Sequence, residues 1–158
     1  MNQQFIKTAK EISELVIQWE TKLLSLDEKI ITKPKNNQNR SIKQILGHLA
    51  DSAGNNTHRI VHLHYSKDPL IYPNYASHGN NDRWIAIQNY QDENWQNLVA
   101  YWKYCNLHLA HMLCHVQSSR LEVKWDAGDG KMISMNECIL AYLPHLRLHL
   151  GEIEELIA

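Results

Sequence analysis

Apolar residues recur at helical spacing in four long stretches of this chain, the pattern of helices that bury one face. The first stretch runs from about Asn2 to Leu26, with Phe5, Ile12, Leu15, Val16, Trp19 and Leu23 as its stripe. A polar loop over 33–39 follows. The second begins at Ser41, where Ser41 and Gln44 have the S-x-x-Q spacing of a capping box, and continues to about Ser66. Two loops, Asp68 to Tyr75 and His78 to Asp82, lead to a short helix near Arg83–Asn89. The third long helix is expected from about Asp92 to Gln117, with Leu98, Trp102, Cys105, Leu109, Met112 and Val116 facing inward. The fourth opens at Ser134, capped with Glu137, and runs to about Ile157.

Before that last helix the period changes. Leu121, Val123 and Trp125 alternate, and the turn Asp126-Ala-Gly-Asp-Gly130 predicts a strand-like excursion or small hairpin arm. Four amphipathic helices in 158 residues predict an all-α fold, a four-helix bundle forming a single domain over 1–158.

Composition narrows the function. The 16 Lys plus Arg balance 17 Asp plus Glu, giving net charge -1, so the chain has no basic field to hold nucleic acid. Hydrophobic residues make up 44% and charged residues 21%, the balance of a packed globular chain. The first residues lack the features of a signal peptide, and no apolar run approaches the ~18 residues of a membrane span, so a cytoplasmic location without membrane contact is expected. Cys105, Cys114 and Cys138 form no CxxC pair and read as reduced small hydrophobes. Trp19, Leu24 and Trp95 are candidates for an exposed apolar face through which a homodimer could form.

The unusual count is ten histidines, and helical geometry sorts them by face. His108, His111 and His115 fall roughly 90 to 150° from the centre of their helix's stripe. His58 and His62 lie nearly opposite theirs, and His64 and His78 have no partner at useful spacing. His48 borders its core face, on a polar strip with Ser52, Asn55 and Arg59. His145 and His149 stand at i, i+4 along the arc of Met135, Ile139, Tyr142, Leu146 and Ile153, with Cys138 and Glu152 on the same edge. Such a pair can aim two imidazoles at one ion, with His48 as a third ligand if the second and fourth helices are neighbours. The alternative is a set of hydrogen-bonded histidines at the core edge. Pro144 interrupts the last helix and predicts a kink or a restart before His145.

Ile45-Leu-Gly-His-Leu-Ala-Asp-Ser-Ala-Gly-Asn-Asn56 and Tyr142-Leu-Pro-His-Leu-Arg-Leu-His-Leu-Gly-Glu-Ile153 resemble the DinB-like (DinB/YfiT) family of helical-bundle metalloproteins. Tyr72-Pro-Asn-Tyr75, Trp84 and Trp102-Lys-Tyr-Cys-Asn-Leu-His108 resemble a subgroup of it. The resemblance covers nearly the whole chain and implies a four-helix bundle with one divalent ion held by His48, His145 and His149. Pro144 departs from the family pattern. Family activities include thiol-dependent transfer with low-molecular-weight thiols and hydrolysis.

Three neutral imidazoles leave the charge of an ion uncompensated and at least one position open, the arrangement of a Lewis-acid site. Nitrogen ligands suit several metals, with zinc or nickel the expected ion. Glu152 is a candidate general base or an acceptor behind a ligand. Asn55 and Arg59 are candidates for holding a polar or anionic substrate, whereas Asp51 projects further from the core. Tyr142 and Trp84 are candidate pocket walls. The expected function is a metal-dependent transferase or hydrolase acting on a small molecule, its partner in the transfer case a low-molecular-weight thiol. The rival is a non-catalytic bundle with a structural metal site or a protein-interaction role.

Overall fold

Asn2 starts the first helix by accepting a hydrogen bond from the Gln4 amide, and three further side chains do the same at the other long helices. A side-chain cap of this kind contributes about 1 kcal/mol by satisfying an amide that the helix cannot. The computed structural model describes residues 2–33 and 35–158. Its elements are α1 (Gln3–Leu24), α2 (Glu28–Thr32), α3 (Ile42–Tyr65), β1 (Leu70–Ile71), α4 (Asn80–Gln88), α5 (Trp95–Leu113), β2 (Lys124–Asp126), β3 (Met132–Ser134) and α6 (Met135–Ile157). Both capping boxes expected from the spacing, Ser41 with Gln44 and Ser134 with Glu137, are closed in both directions.

The long helices α1, α3, α5 and α6 form a four-helix bundle in which α1 and α3 each pack against both α5 and α6. Phe5, Ile12, Leu46, Leu49, Trp102, Leu109, Ile139 and Leu146 fill the space between them. The contact between α3 and α6 meets the condition on which a third histidine ligand depended.

Local differences from the expected pattern have identifiable causes. The five residues of α2 are too few to show a period, and the helix rests on Asp27, whose side chain caps Lys29 and Ile30. Pro34, in the expected polar loop, lies outside the described residues. Helix α5 begins at Trp95, capped by Asn94, because Tyr90–Asp92 form a separate 3-10 turn. Its inward face includes Asn106, which is fully buried and accepts from Tyr142 Oη at 2.5 Å, while Cys105 and Met112 are only half-buried. Trp95, expected outside, is buried at 6% exposure with its indole donating to Leu23 O at 2.9 Å, so it offers no surface to a second copy. Helix α6 continues without a break through Pro144, whose ring is on the exposed side, so the helix does not restart there.

The predicted hairpin is β2 and β3, paired antiparallel with Trp125 opposite Ile133. Strand β1 joins it in parallel through Leu70 and Trp125, making a three-stranded sheet that the loop sequence did not announce. This arm ties down the segment after β1: Trp125 Nε1 donates to Tyr72 O at 2.8 Å, and Asn74 Nδ2 donates to Ala127 O at 2.8 Å. The segment thereby carries Tyr75 into the bundle, where it is buried.

Candidate metal centre

His48, on α3, meets His145 and His149, one turn apart on α6, so that one nitrogen from each lies within 4.8 Å of the others. Ring centroids are 4.6 Å apart for His48 with His149, 4.6 Å for His145 with His149 and 5.3 Å for His48 with His145. The convergence follows from the i, i+4 spacing on one helix and the packing of that helix on α3.

Each ring has a partner on its far nitrogen. His48 Nδ1 is 2.8 Å from Tyr75 Oη, His149 Nδ1 is 3.0 Å from Glu152 Oε2, and His145 Nδ1 is 3.5 Å from Ser52 Oγ. His48 Nε2 is buried with no hydrogen-bond partner. An orphaned buried nitrogen is costly unless something binds it, and imidazoles that donate from Nδ1 while offering Nε2 are oriented as ligands are. The donor set therefore fits a divalent metal ion.

Electrostatics points the same way. Burial first, then the neighbouring imidazoles His149 and His145, push the His48 pKa down to about 2. Burial and His149 lower His145 to about 4. Both rings stay neutral at neutral pH, the state that ligates metal.

Behind His48 lies a buried network that the sequence did not reveal. Asp51, expected to project away from the core, is only 3% exposed. Its carboxylate accepts from Tyr90 Oη at 2.7 Å, Gln88 Nε2 at 2.8 Å and, at 3.5 Å, Tyr75 Oη. Burial raises the Asp51 pKa against the lowering effect of those three donors. The helical wheel placed Asp51 outside because it could not foresee that α4 and the following turn would cover that side of α3.

A cavity of about 290 Å³ opens beside the histidines, walled by Ser52, Arg59, Tyr75, Trp125, Cys138 and Tyr142 among others, with His48 and His145 in its lining. Arg59 and Tyr142, the candidate substrate-holding and wall residues, both line this cavity. Glu152 sits behind His149, held also by Asn36 Nδ2 at 2.9 Å. Asn55 donates to Asp51 O at 2.9 Å and lines a different recess, together with His58, Tyr72 and Trp84. His58, His78, His108, His111 and His115 are exposed, as the faces of their helices predicted for all but His78, a loop residue.

The chain is thus a four-helix bundle with a candidate metal site, three convergent imidazoles of which His48 and His145 line a side cavity. Among solved structures the chain is similar to YfiT from Bacillus subtilis, with a TM-score of 0.79 and 16% identity, over 99% of this chain and 87% of that one. The chain has the DinB-like fold that its motifs implied. YfiT is described as a probable metal-dependent hydrolase with an unusual four-helix bundle topology. No family model matches the sequence, and no curated protein matches it. Among the described residues no helix is long and apolar enough to cross a membrane.

Proposed function

We propose that the protein is a divalent-metal-dependent enzyme that acts on a small molecule in the cytoplasm, with His48, His145 and His149 as metal ligands. The observation that carries this reading is the orphaned, buried Nε2 of His48, clustered with two further imidazoles beside an open cavity that His48 and His145 line. A structural ion would be closed off by a fourth protein ligand, and among the described residues the cluster contains three. Zinc and nickel both suit this all-nitrogen set.

A bound divalent ion would supply Lewis acidity, drawing the pKa of a water toward neutrality or deprotonating a thiol. The chain's own residues do the rest. Tyr75, Glu152 and Ser52 hold the three rings by Nδ1, fixing which nitrogen faces the ion. Trp125 and Tyr142 form apolar walls that limit water around the reacting atoms. Glu152 is engaged with His149 and Asn36, which supports a positioning role. Hydrolysis agrees with the description of YfiT, and transfer of a low-molecular-weight thiol with the family resemblance. The cavity accommodates a metabolite-sized molecule in either case.

The test is elemental analysis of freshly purified protein beside a His48→Ala/His145→Ala/His149→Ala variant checked for helicity. About one ion per chain is expected in the first and none in the second. A variant that keeps its ion overturns the assignment.

A further inference from the structure

Arg59 is 8% exposed, yet among the described residues it has no carboxylate partner. Its guanidinium lies over the Trp125 ring, 3.8 Å from the centroid. Nη1 makes one long contact to Asn56 Oδ1 at 3.5 Å, and Nε is buried with no partner at all. Burial without a counter-charge lowers its pKa, although the Cys138 thiol beside it acts the other way. Buried charges are normally paired, because each costs several kcal/mol to desolvate. An arginine stacked on a tryptophan without a counter-charge keeps N–H groups that can pair with a planar carboxylate.

The cavity around Arg59 is the one that His48 and His145 line. Lys131 adds a second positive charge at its wall. The one carboxylate lining it, Glu137, is turned onto the start of α6, where its Oε2 accepts from Ser134 N and Ser134 Oγ at 2.8 Å each. Among the described residues no carboxylate on the wall therefore answers the charge of Arg59. Arg59 follows His48 by eleven residues, about 16 Å along the helix, and its side chain leans back toward the helix start, where the histidines are. The separation suits a molecule of several bonds with its charged group at one end.

We propose that the cavity takes a small carboxylic acid, its carboxylate paired with the Arg59 guanidinium beside Trp125 and its reacting group directed to the three histidines. This rests on the metal-enzyme reading for the reacting end, while the carboxylate subsite is testable without metal. Succinate, its diamide succinamide and inorganic phosphate are titrated into metal-free protein, following the Trp125 indole and Arg59 Nε–H resonances by NMR. Succinate is expected to shift both saturably, succinamide neither. Arg59→Gln should weaken succinate binding about tenfold or more, as expected on losing a charge-assisted pair.

Equal shifts from succinate and succinamide would overturn the proposal, and this comparison needs no variant to fold. Tighter binding of phosphate than of succinate would overturn the carboxylate class. Metal uptake by the same preparation separates the two readings. Normal uptake without an Arg59-dependent succinate shift removes the subsite alone. A succinate shift in protein that takes up no metal supports the subsite and removes the metal-enzyme reading.

Discussion

Tyr75 Oη stands 2.8 Å from His48 Nδ1, inside the bundle, on a segment that belongs to none of its long helices. For Nε2 of His48 to act as a ligand, Nδ1 must carry the proton and donate it to Tyr75. The Tyr75 hydroxyl then donates onward to Asp51, 3.5 Å away. The carboxylate so polarises the His48 imidazole through a tyrosine, as a ligand role for Nε2 would require, and the sheet arm that anchors Asn74 sets the position of the tyrosine.

Removing that hydroxyl should weaken the site without emptying the core. Tyr75→Phe keeps the ring against Trp84 and leaves His48 free to choose the wrong tautomer. Metal affinity, read by competition with a chromogenic chelator, should fall about 10- to 100-fold, the usual cost of losing a partner behind a ligand. An affinity equal to that of the parent protein would mean that the packing of the ring, not its hydroxyl, holds His48.

The same network explains a glycine. A Cβ on Gly47 would lie 2.1 Å from Tyr90 Cδ2, so the absence of a side chain there lets Tyr90 reach Asp51. Gly47→Ala should cost about 1–3 kcal/mol through overpacking, despite the better helix propensity of alanine. Urea denaturation of the metal-free protein measures this, and an increase in stability would show that Tyr90 moves aside freely.

How much of this was legible in the sequence depended on whether the signal was periodic. His145 and His149 declared themselves by i, i+4 spacing, and His48 by its place beside a stripe, because helical geometry alone fixes such relations. The capping boxes at Ser41 and Ser134 set two helix starts to the residue. Tyr75 and Asp51 were not legible in their roles, since one sits on a loop and the other is covered only when α4 folds over it. The Tyr72-Pro-Asn-Tyr75 segment stood out by resemblance, but its function depends on contacts with residues far along the chain. Trp95 misled for the same reason: its indole finds Leu23, a partner 72 positions away.

Acid should destabilise the metal-free protein earlier than its carboxylates alone would. His48 and His145 have folded pKa values of about 2 and about 4, below the ~6.5 of an unfolded histidine. The unfolded chain therefore binds more protons in that interval, and stability falls as pH drops below about 6.5. Each residue contributes a slope of up to about 1.4 kcal/mol per pH unit, His145 down to about 4 and His48 to about 2. Urea midpoints between pH 7 and 5, a window largely above carboxylate titration, should drop less steeply in His48→Gln/His145→Gln than in the parent protein. Parallel curves would show that these rings are protonated in the native state.

Glu152 poses the sharpest chemical question, because a carboxylate near a metal site can either move protons or hold a ligand. Its Oε2 faces both His149 Nδ1 and Asn36 Nδ2, leaving it committed as an acceptor. Glutamine retains a carbonyl oxygen that can accept from His149, whereas alanine retains nothing. If the role is positioning, Glu152→Gln should bind metal within a few-fold of the parent protein, and Glu152→Ala about 10- to 100-fold more weakly. A general base predicts a different pattern: metal affinity unchanged in both variants, and turnover lost equally in both. Measuring affinity and turnover on the same two proteins separates the roles, since charge matters to the base and the acceptor oxygen matters to the ligand.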